Sequence, residues 1–399
     1  MNRIVKRNLT EMAKALFKEE RAIKRLDGWF LVQEINLEMS GKYESKEIEK
    51  AETLKEIAKR LPISVSENAV FVGTQRDSFA RSYALINPAF KVEEFSGYCD
   101  PTAVFDDIEP NEEFTAERIE KVRKQMEKTP YVEELSKAYA NCESDTKEVA
   151  YFVEQVTGHL IPDFRKALAV GVLKLKEEIA DKKDDGFIAF DSALDSVIIL
   201  ADRYKEILIS QKESAEENRK EQLDKMIETL ERVPKYGARD LFEAIQMFIL
   251  LWQVMCLEQA PNPFAFSVGN ADRIFQPYMK DTDRETAAAL FKHFLVFFNV
   301  ADRSWAISQN LITGGRDLEG NDLTCDASYA LMDAYFDMNL PQPILSVKLH
   351  KTHLKNSTKK WVSLCSHQAY LLRHSSTMIH YLNFLKNMAL TKMIYLIFQ

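Results

Sequence analysis

In its second half, the chain of 399 residues carries the run Phe248-Ile249-Leu250-Leu251-Trp252-Gln253-Val254-Met255-Cys256-Leu257. Every residue in this run except Gln253 is apolar, so a helix built from it has no polar side to turn toward solvent. Such a helix has to be covered by other layers of the protein, which requires a large domain. We therefore predict that residues 238–258 form a helix buried in the middle of the fold.

The segments on either side are predicted to be mainly helical. Apolar positions three and four residues apart, set among many charges, occur in residues 11–38, 44–60, 111–172, 187–233 (one long helix or two) and 326–338. Residues 62–110 contain Gly and Pro at short intervals, which predicts loops and short strands, and residues 311–320 are rich in turn residues. Apolar and polar residues alternate from Ile344 to Leu349 after two prolines, which predicts a strand.

Charge and composition exclude several classes of protein. The net charge is −8, whereas nucleic-acid binders need a basic surplus to neutralise phosphates. The five cysteines lie far apart without a C-x-x-C pair, so neither a disulfide framework nor a zinc or other metal site is predicted. No apolar run is long enough to span a membrane, and the start has no signal-peptide core. We expect a cytoplasmic protein that binds neither nucleic acid nor membrane.

Common catalytic signatures are absent, including G-x-S-x-G, H-E-x-x-H and the phosphate-binding glycine loops. Six other groups of residues occur in order along the chain. They are Gly158-His159 with Pro162-Asp163; Glu231-Arg232-Val233-Pro234 with Ala238-Arg239-Asp240-Leu241-Phe242-Glu243-Ala244-Ile245-Gln246; Gly269 with Asp272, Pro277-Tyr278 and Asp281; Thr313-Gly314-Gly315-Arg316-Asp317 with Gly320-Asn321-Asp322; Ser328-Tyr329 with Leu331; and Pro341-Gln342-Pro343 with Leu345-Ser346-Val347. Together, from about residue 150 to 361, they resemble the pyruvate formate-lyase domain of the glycyl radical enzymes.

The resemblance implies a helix-rich α/β fold, a ten-stranded barrel of two five-stranded halves wrapped by helices. In an intact relative a glycine radical passes to a cysteine, which abstracts hydrogen from a small-molecule substrate. That radical is installed by an activating enzyme that uses S-adenosylmethionine and an iron–sulfur cluster, and no cofactor is bound otherwise. The resemblance also implies an anaerobic, water-excluding site and a homodimer.

Three residues are candidates for contact with the substrate, all through this resemblance. His159 of the Gly-His pair is expected to line the pocket, where a neutral imidazole hydrogen-bonds a substrate hydroxyl. Its alternative role is to cap a turn before Pro162. Asp163 is expected to pair with a cationic or hydroxylated substrate, or else to cap the next helix. Ser267, just before Gly269, is the third candidate.

The sequence departs from the family pattern in two places, each with a structural rather than a chemical consequence. Gly269-Asn270-Ala271-Asp272 stands where members usually have Gly-Arg-x-Asp, and Thr324-Cys325 stands where Asn often follows Thr. The family's radical cysteine sits in a Gly-Cys pair, which is absent here, so neither Cys325 nor Cys365 is expected to be that residue. No catalytic residue is therefore predicted within this chain.

The composition changes near the end of the chain. All 61 acidic residues of the chain lie at or before Asp337, and none follows it. Residues 368–384 can be written in codons that also encode another peptide when they are read one base earlier. That peptide is Gly-Ile-Phe-Thr-Pro-Ser-Phe-Phe-Asn-Asp-Asp-Thr-Leu-Phe-Glu-Phe, and it resembles the family's next segment. We therefore expect an incomplete pyruvate formate-lyase domain at residues 1–364, comprising about one half barrel. Residues 365–399 are expected to be a frameshifted, non-native tail.

Three functions remain open at this stage. The lineage is expected to be a lyase or dehydratase, with a formate C-acetyltransferase-like activity as the next choice. The chain alone, without the radical cysteine and glycine, is expected to be inactive, as the remnant of a disrupted gene. The third reading is a helical scaffold whose basic, apolar tail docks on a membrane surface or a partner.

Overall fold

A computed structural model describes residues 8–22, 27–73, 161–259, 267–299, 310–340 and 343–348, together with residues 4, 137 and 140. Helices and strands within these ranges are numbered here in chain order. They are α1 (Leu9–Ala22), α2 (Asp27–Met39), α3 (Lys46–Arg60), α4 (Phe164–Val170), α5 (Val172–Ile179), α6 (Asp185–Ser214), α7 (Glu217–Arg232), α8 (Leu241–Gln259), β1 (Gly269–Asn270), α9 (Ala271–Phe275), α10 (Arg284–Val296), β2 (Asn310–Gly314), α11 (Asp326–Met338) and β3 (Ile344–Lys348). Two 3₁₀ turns, Gln276–Tyr278 and Phe297–Asn299, follow α9 and α10.

Helix α8 is buried as its sequence predicts. Phe248 and Trp252 are 0% and 1% exposed. The Phe248 ring lies edge-on against Phe294 of α10, with ring centroids 5.3 Å apart. The one polar residue in the run, Gln253, has a partner within the core for its Nε2, which donates to the Tyr204 hydroxyl at 3.1 Å. The predicted central helix is confirmed.

Residues 187–233 form two helices rather than one. Helix α6 begins after Asp184, whose carboxylate accepts a hydrogen bond from the Phe187 N–H at 3.3 Å. It ends at Ser214, and α7 begins at Glu217. The two residues between them, Ala215 and Glu216, have extended backbone angles, which break the helix without a proline or glycine.

The first part of the chain is helical, as expected; α3 packs against α6 and α8, and α1 packs against α10. Helix α6 lies against α3, where the Ser192 hydroxyl donates to Glu52 at 2.6 Å. Beyond α3, residues 62–73 form neither helix nor strand, in agreement with the loop prediction. The buried amide of Gln246 donates to the Val72 carbonyl at 3.0 Å and accepts from its N–H at 2.8 Å. Residues 74–110 lie outside the described residues.

Within the described residues the sheet has three strands, in the order β1-β2-β3. Strands β1 and β2 are parallel, with Gly269 opposite Leu311 and Asn270 opposite Ile312. The strand predicted from Ile344 onward is confirmed as β3 over residues 344–348. Helix-rich α/β architecture with a small open sheet is thus observed, while the ten-stranded barrel, its half and its truncation stay predictions.

One local prediction is wrong. Residues 310–314, which overlap the segment expected to be turn-rich, form strand β2. Pairing with β1 supplies backbone partners that local sequence does not reveal, and it overrides the turn preference of Gly314. The turn itself starts later: Asp317 accepts hydrogen bonds from the Asn321 backbone and side chain, both at 2.8 Å.

The chain divides into two compact units, residues 1–313 with 324–346, and residues 314–323 with 347–399. The first contains all the helices named above. Within the second, residues 314–323 form a hairpin-like turn closed by a bridge between Arg316 and Asp322. None of the helices in the described ranges is long and apolar enough to cross a membrane.

Candidate functional site

The two faces of the sheet differ in burial. Along β2, Leu311 and Thr313 are fully buried, whereas Asn310 and Ile312 are half-buried. Alternate residues of a strand point to opposite faces, so β2 has one covered face and one partly open face. The register partner of Ile312, Asn270, is also half-buried, so the open face continues onto β1.

Asn310 of β2 is hydrogen-bonded to one polar residue near β1 and to another in β3. The backbone N–H of Asn310 donates to the Ser267 Oγ at 3.1 Å. The side-chain Nδ2 of Asn310 donates to the Ser346 Oγ at 2.8 Å. Asn310 therefore ties a residue just before β1 to a residue within β3, and we call these three residues the polar triplet. Its members are neutral, so it suits an uncharged hydrogen-bonding ligand better than an ion.

Of the predicted site residues, Ser267 is the one that the structure places in this network. It is 8% exposed, and the adjacent Val268 N–H donates to the Asn310 carbonyl at 3.3 Å. The start of β1 is thus fixed to the start of β2 by two hydrogen bonds. This pairing follows from the parallel register and explains why a polar residue occupies a largely buried position.

The other two candidates lie on the segment that leads into α4. His159 lies outside the described residues. Asp163 is exposed, and its carboxylate accepts from the Lys166 N–H at 3.3 Å, which is the helix-capping alternative. Its contact with a substrate stays a prediction, as does that of His159.

This segment nevertheless approaches the sheet. Ile161 is 59% exposed, yet a Cβ added to Gly269 would come within 2.8 Å of the Ile161 Cγ2. Gly269 also has a φ of 78°, where residues with a side chain are strained. A glycine here lets the chain near residue 161 lie against β1, two residues from Ser267.

The residues after β1 hold the strand in place. Asp272 is fully buried, and its carboxylate accepts from the Ser328 hydroxyl of α11 at 2.6 Å and from the Arg273 N–H at 2.8 Å. This contact fixes α9 against α11. The departure at Asn270-Ala271 lies directly before this buried contact, and its expected structural consequence stays a prediction.

Two thiols lie within the described residues, and burial disfavours the nucleophilic thiolate form of both. Cys256 and Cys325 are both free. Burial raises the pKa of the Cys256 thiol well above its ordinary value. Burial also raises the pKa of Cys325, which lies at the start of α11. Within the described ranges, His, Cys, Asp and Glu side chains form no group of three that could hold a metal ion.

Two residues of the polar triplet were not identified as site residues from the sequence. Ser346 is part of the quoted Leu345-Ser346-Val347 motif, and the strand alternation would have placed it opposite the buried Leu345. Asn310 gives no comparable local signal. Its importance arises from contacts with residues 43 and 36 positions away in the sequence.

Comparison with known proteins agrees with this architecture. Residues 2–384 match the family described as pyruvate formate lyase-like. Over 175 residues the chain is 27% identical to isethionate sulfite-lyase of Bilophila wadsworthia (strain 3_1_6), which is 39% of this chain and 21% of that protein. It is also 27% identical to trans-4-hydroxy-L-proline dehydratase of Clostridioides difficile over 178 residues, 40% of this chain and 22% of the relative.

A solved structure from work on 1,2-propanediol dehydration in Roseburia inulinivorans shares the fold, with a TM-score of 0.69 at 20% identity. The similarity covers 91% of this chain and 49% of that structure. The chain thus spans about half the length of this structure, and its alignments with the two curated relatives cover about a fifth of each. The family match continues past residue 364, the predicted domain boundary, which stays a prediction. On this match over nearly its whole length, the chain belongs to the pyruvate formate lyase-like family of glycyl radical enzymes.

Proposed function

We propose that the chain supplies a substrate-binding wall of a glycyl radical lyase or dehydratase that acts on a small hydroxylated molecule. The observation that carries this proposal is the polar triplet, in which Asn310 of β2 is hydrogen-bonded to both Ser267 and Ser346. The homologues named above are a lyase and a dehydratase, which supports this reaction class over a formate C-acetyltransferase-like one.

The triplet has the chemistry to orient a hydroxylated substrate. Serine hydroxyls both donate and accept hydrogen bonds, which is the chemistry that a substrate hydroxyl requires. Ser267 is held at the edge of β1 by Asn310, and its position is therefore fixed before a substrate binds. We propose that His159 and Asp163 complete this wall, because Ile161 between them lies against Gly269.

The radical groups of the family do not fit the residues of this chain. The sequence contains no Gly-Cys pair and no Arg-Val-x-Gly-Tyr segment. We therefore assign it no radical step, and we propose that this polypeptide alone is inactive. The complete enzyme would be an anaerobic, cytoplasmic homodimer that depends on a radical-activating enzyme using S-adenosylmethionine and an iron–sulfur cluster.

A second proposal concerns the origin of the chain. The lack of acidic residues after Asp337 favours a disrupted gene, with a change of frame between about residues 361 and 368. In this view residues 1–364 are the native part of the domain and residues 365–399 are not. The substrate-binding surface would then be retained from an ancestral enzyme, although this polypeptide catalyses no reaction.

The proposed function is tested in a frame-restored protein that has been activated anaerobically. It is assayed with isethionate, trans-4-hydroxy-L-proline and 1,2-propanediol, and turnover of one of them is expected. Ser267→Ala should lower turnover about tenfold, the value of one hydrogen bond, while leaving the radical yield unchanged. Ser210→Ala, at an exposed position of α6, is the matched control. Equal turnover in both variants would remove Ser267 from the site.

A further inference from the structure

The beginning of α6 carries three large apolar side chains that are not buried. Phe187, Ile188 and Phe190 are 38%, 42% and 46% exposed, and we call them the α6 patch. Helical spacing puts Phe187 and Phe190 on the same side of α6 as Leu194 and Val197, which are both buried. One apolar stripe of α6 is therefore covered farther along the helix and uncovered where the helix begins.

The loop directly before this patch presents charges of both signs. Asp181, Lys182, Lys183 and Asp185 are all exposed, and none of them has an ion-pair partner within the part of the chain that the structure describes. The remaining charged residue of the loop, Asp184, is used as the cap of α6. Two positive and two negative charges thus lie next to the α6 patch without being neutralised there.

Lysines before and after this loop do have partners. In α5, the Lys176 Nζ lies 2.6 Å from a carboxylate oxygen of Asp195. Near the end of α6, Lys212 is paired with Asp224 of α7. The loop differs from these positions because its charges are left for something outside the described chain to neutralise.

Apolar side chains beside charges without partners are typical of a protein–protein interface, which has an apolar centre and a polar rim. The equal number of positive and negative charges indicates the kind of partner. A two-fold axis brings the same surface of two copies together, so the lysines of one copy meet the aspartates of the other. A partner of one charge, such as an anionic lipid surface, would be attracted by the lysines and repelled by the aspartates.

We propose that the α6 patch is an interface between two copies of this chain. Phe187 and Phe190 form its apolar centre, and the four charges of the preceding loop form its rim. The inference goes beyond the proposed function, because none of these residues belongs to the polar triplet. It therefore stands or falls independently of the substrate site.

Sedimentation velocity of the 399-residue chain over a series of concentrations tests this interface. The wild type should approach the dimer as the concentration rises. Phe190→Glu places a charge without a partner at the centre, so it should weaken the dimer about thirtyfold, the effect of losing one interface hot spot. Ile209→Glu is the matched control, because Ile209 is 48% exposed near the other end of α6 and should leave the dimer unchanged. Unchanged thermal melting checks that each variant is folded.

Charge reversal tests the choice of a second copy as the partner. The variant Lys182→Glu/Lys183→Glu has a wholly acidic loop, and the variant Asp181→Lys/Asp185→Lys has a mainly basic one. Each should be monomeric alone, because like charges then face one another across the two-fold axis. An equimolar mixture of the two variants should form a heterodimer, since each loop then meets the opposite charge.

Four results would overturn the inference. The wild type stays monomeric at every concentration, the dimer is equally stable in Phe190→Glu and Ile209→Glu, or the two charge-reversed variants fail to associate. The fourth is a monomeric wild type that sediments with vesicles containing phosphatidylglycerol, which would assign the α6 patch to a lipid surface.

Discussion

The Nε2 of His293 in α10 lies 2.9 Å from the carbonyl oxygen of Leu9, at the start of α1. His293 is 2% exposed, and its neighbour Lys292 donates to the Thr10 hydroxyl at 2.8 Å. Two consecutive residues of α10 thus hold the first turn of α1. A carbonyl oxygen only accepts hydrogen bonds, so the imidazole must carry a proton on Nε2. The neutral ring with its proton on this nitrogen can donate the bond without a positive charge.

This contact predicts a loss of stability in acid. Burial lowers the pKa of His293 from 6.5 to about 3, and the nearby cations Arg219 and Lys292 act in the same direction. The folded state therefore favours the neutral ring, and its contribution is complete above pH 6.5 and is lost as the pH falls toward 3. Within that window the free energy of unfolding should fall by up to about 1.4 kcal/mol per pH unit from this residue alone.

Urea unfolding at several pH values measures this effect. The non-titrating variant His293→Gln should be less stable at neutral pH but should show a flatter pH dependence than the wild type. An equally steep acid loss in both proteins would show that other groups are responsible.

A second prediction concerns the close approach of α4 to the loop before α8. A Cβ at Gly237 would lie 2.1 Å from the Ala169 carbonyl oxygen. Ala238, next in the chain, donates its N–H to the Leu168 carbonyl at 2.8 Å, so the two backbones cannot separate without losing this bond. Gly237→Ala should therefore lower the free energy of unfolding by about 3 kcal/mol, as overpacking against backbone does.

The matched control for this substitution is Gly186→Ala in the first turn of α6. There the nearest atom to an added Cβ is an Asp184 carboxylate oxygen at 3.5 Å, an ordinary contact. Since alanine favours a helix over glycine, stability should be unchanged or slightly higher. Similar melting temperatures for the two variants would contradict the steric argument.

A third prediction concerns radical formation. The purified chain, incubated anaerobically with a family activating enzyme and S-adenosylmethionine, should give no glycyl radical doublet by electron paramagnetic resonance. The reason is that the sequence lacks the segment that carries the radical glycine in the family. A complete family member treated in parallel provides the positive control. A doublet from this polypeptide would show that it does contain a radical glycine, and would contradict the prediction.

A fourth prediction concerns the reading frame. Nucleotide sequence beyond codon 360 should encode, one base earlier, the Pro-Ser-Phe-Phe-Asn-Asp segment predicted from residues 368–384, followed by a Gly-Cys pair. Restoring one base near codon 365 should give a longer and more soluble product, because closing a sheet pairs its open edges. In that product His159→Ala should lower turnover without altering radical formation. If the frame that begins one base earlier meets a stop codon immediately, the frameshift is ruled out.

The elements that could be predicted from the sequence are those whose burial follows from a local pattern of apolar residues. Helix α8 follows from an apolar run without a polar side, and β3 follows from the alternation of apolar and polar residues after Pro343. Strand β2 was missed because Gly314 and Gly315 suggest a turn, and only pairing with β1 makes the preceding residues extended. The break between α6 and α7 was left open, since Ala215 and Glu216 have no strong helix-breaking tendency.

The candidate site was less predictable than the fold. Ser267 was identified through the family resemblance, and its hydrogen bond to Asn310 now gives it a physical setting. Asn310 was not identified, because a bridging role across three strands depends on register rather than on any nearby motif. The sequence shows which residues are polar, but only the sheet shows which of them meet.

Helix α6 has 30 residues, so it is about 45 Å long, and it packs against α3, α7 and α8. Its central residues Leu200, Ala201 and Tyr204 are at most 1% exposed. Their amide protons can therefore reach solvent only when several helices separate together. In hydrogen exchange, the middle of α6 should report the global opening of this unit, while its first turn exchanges by local fraying.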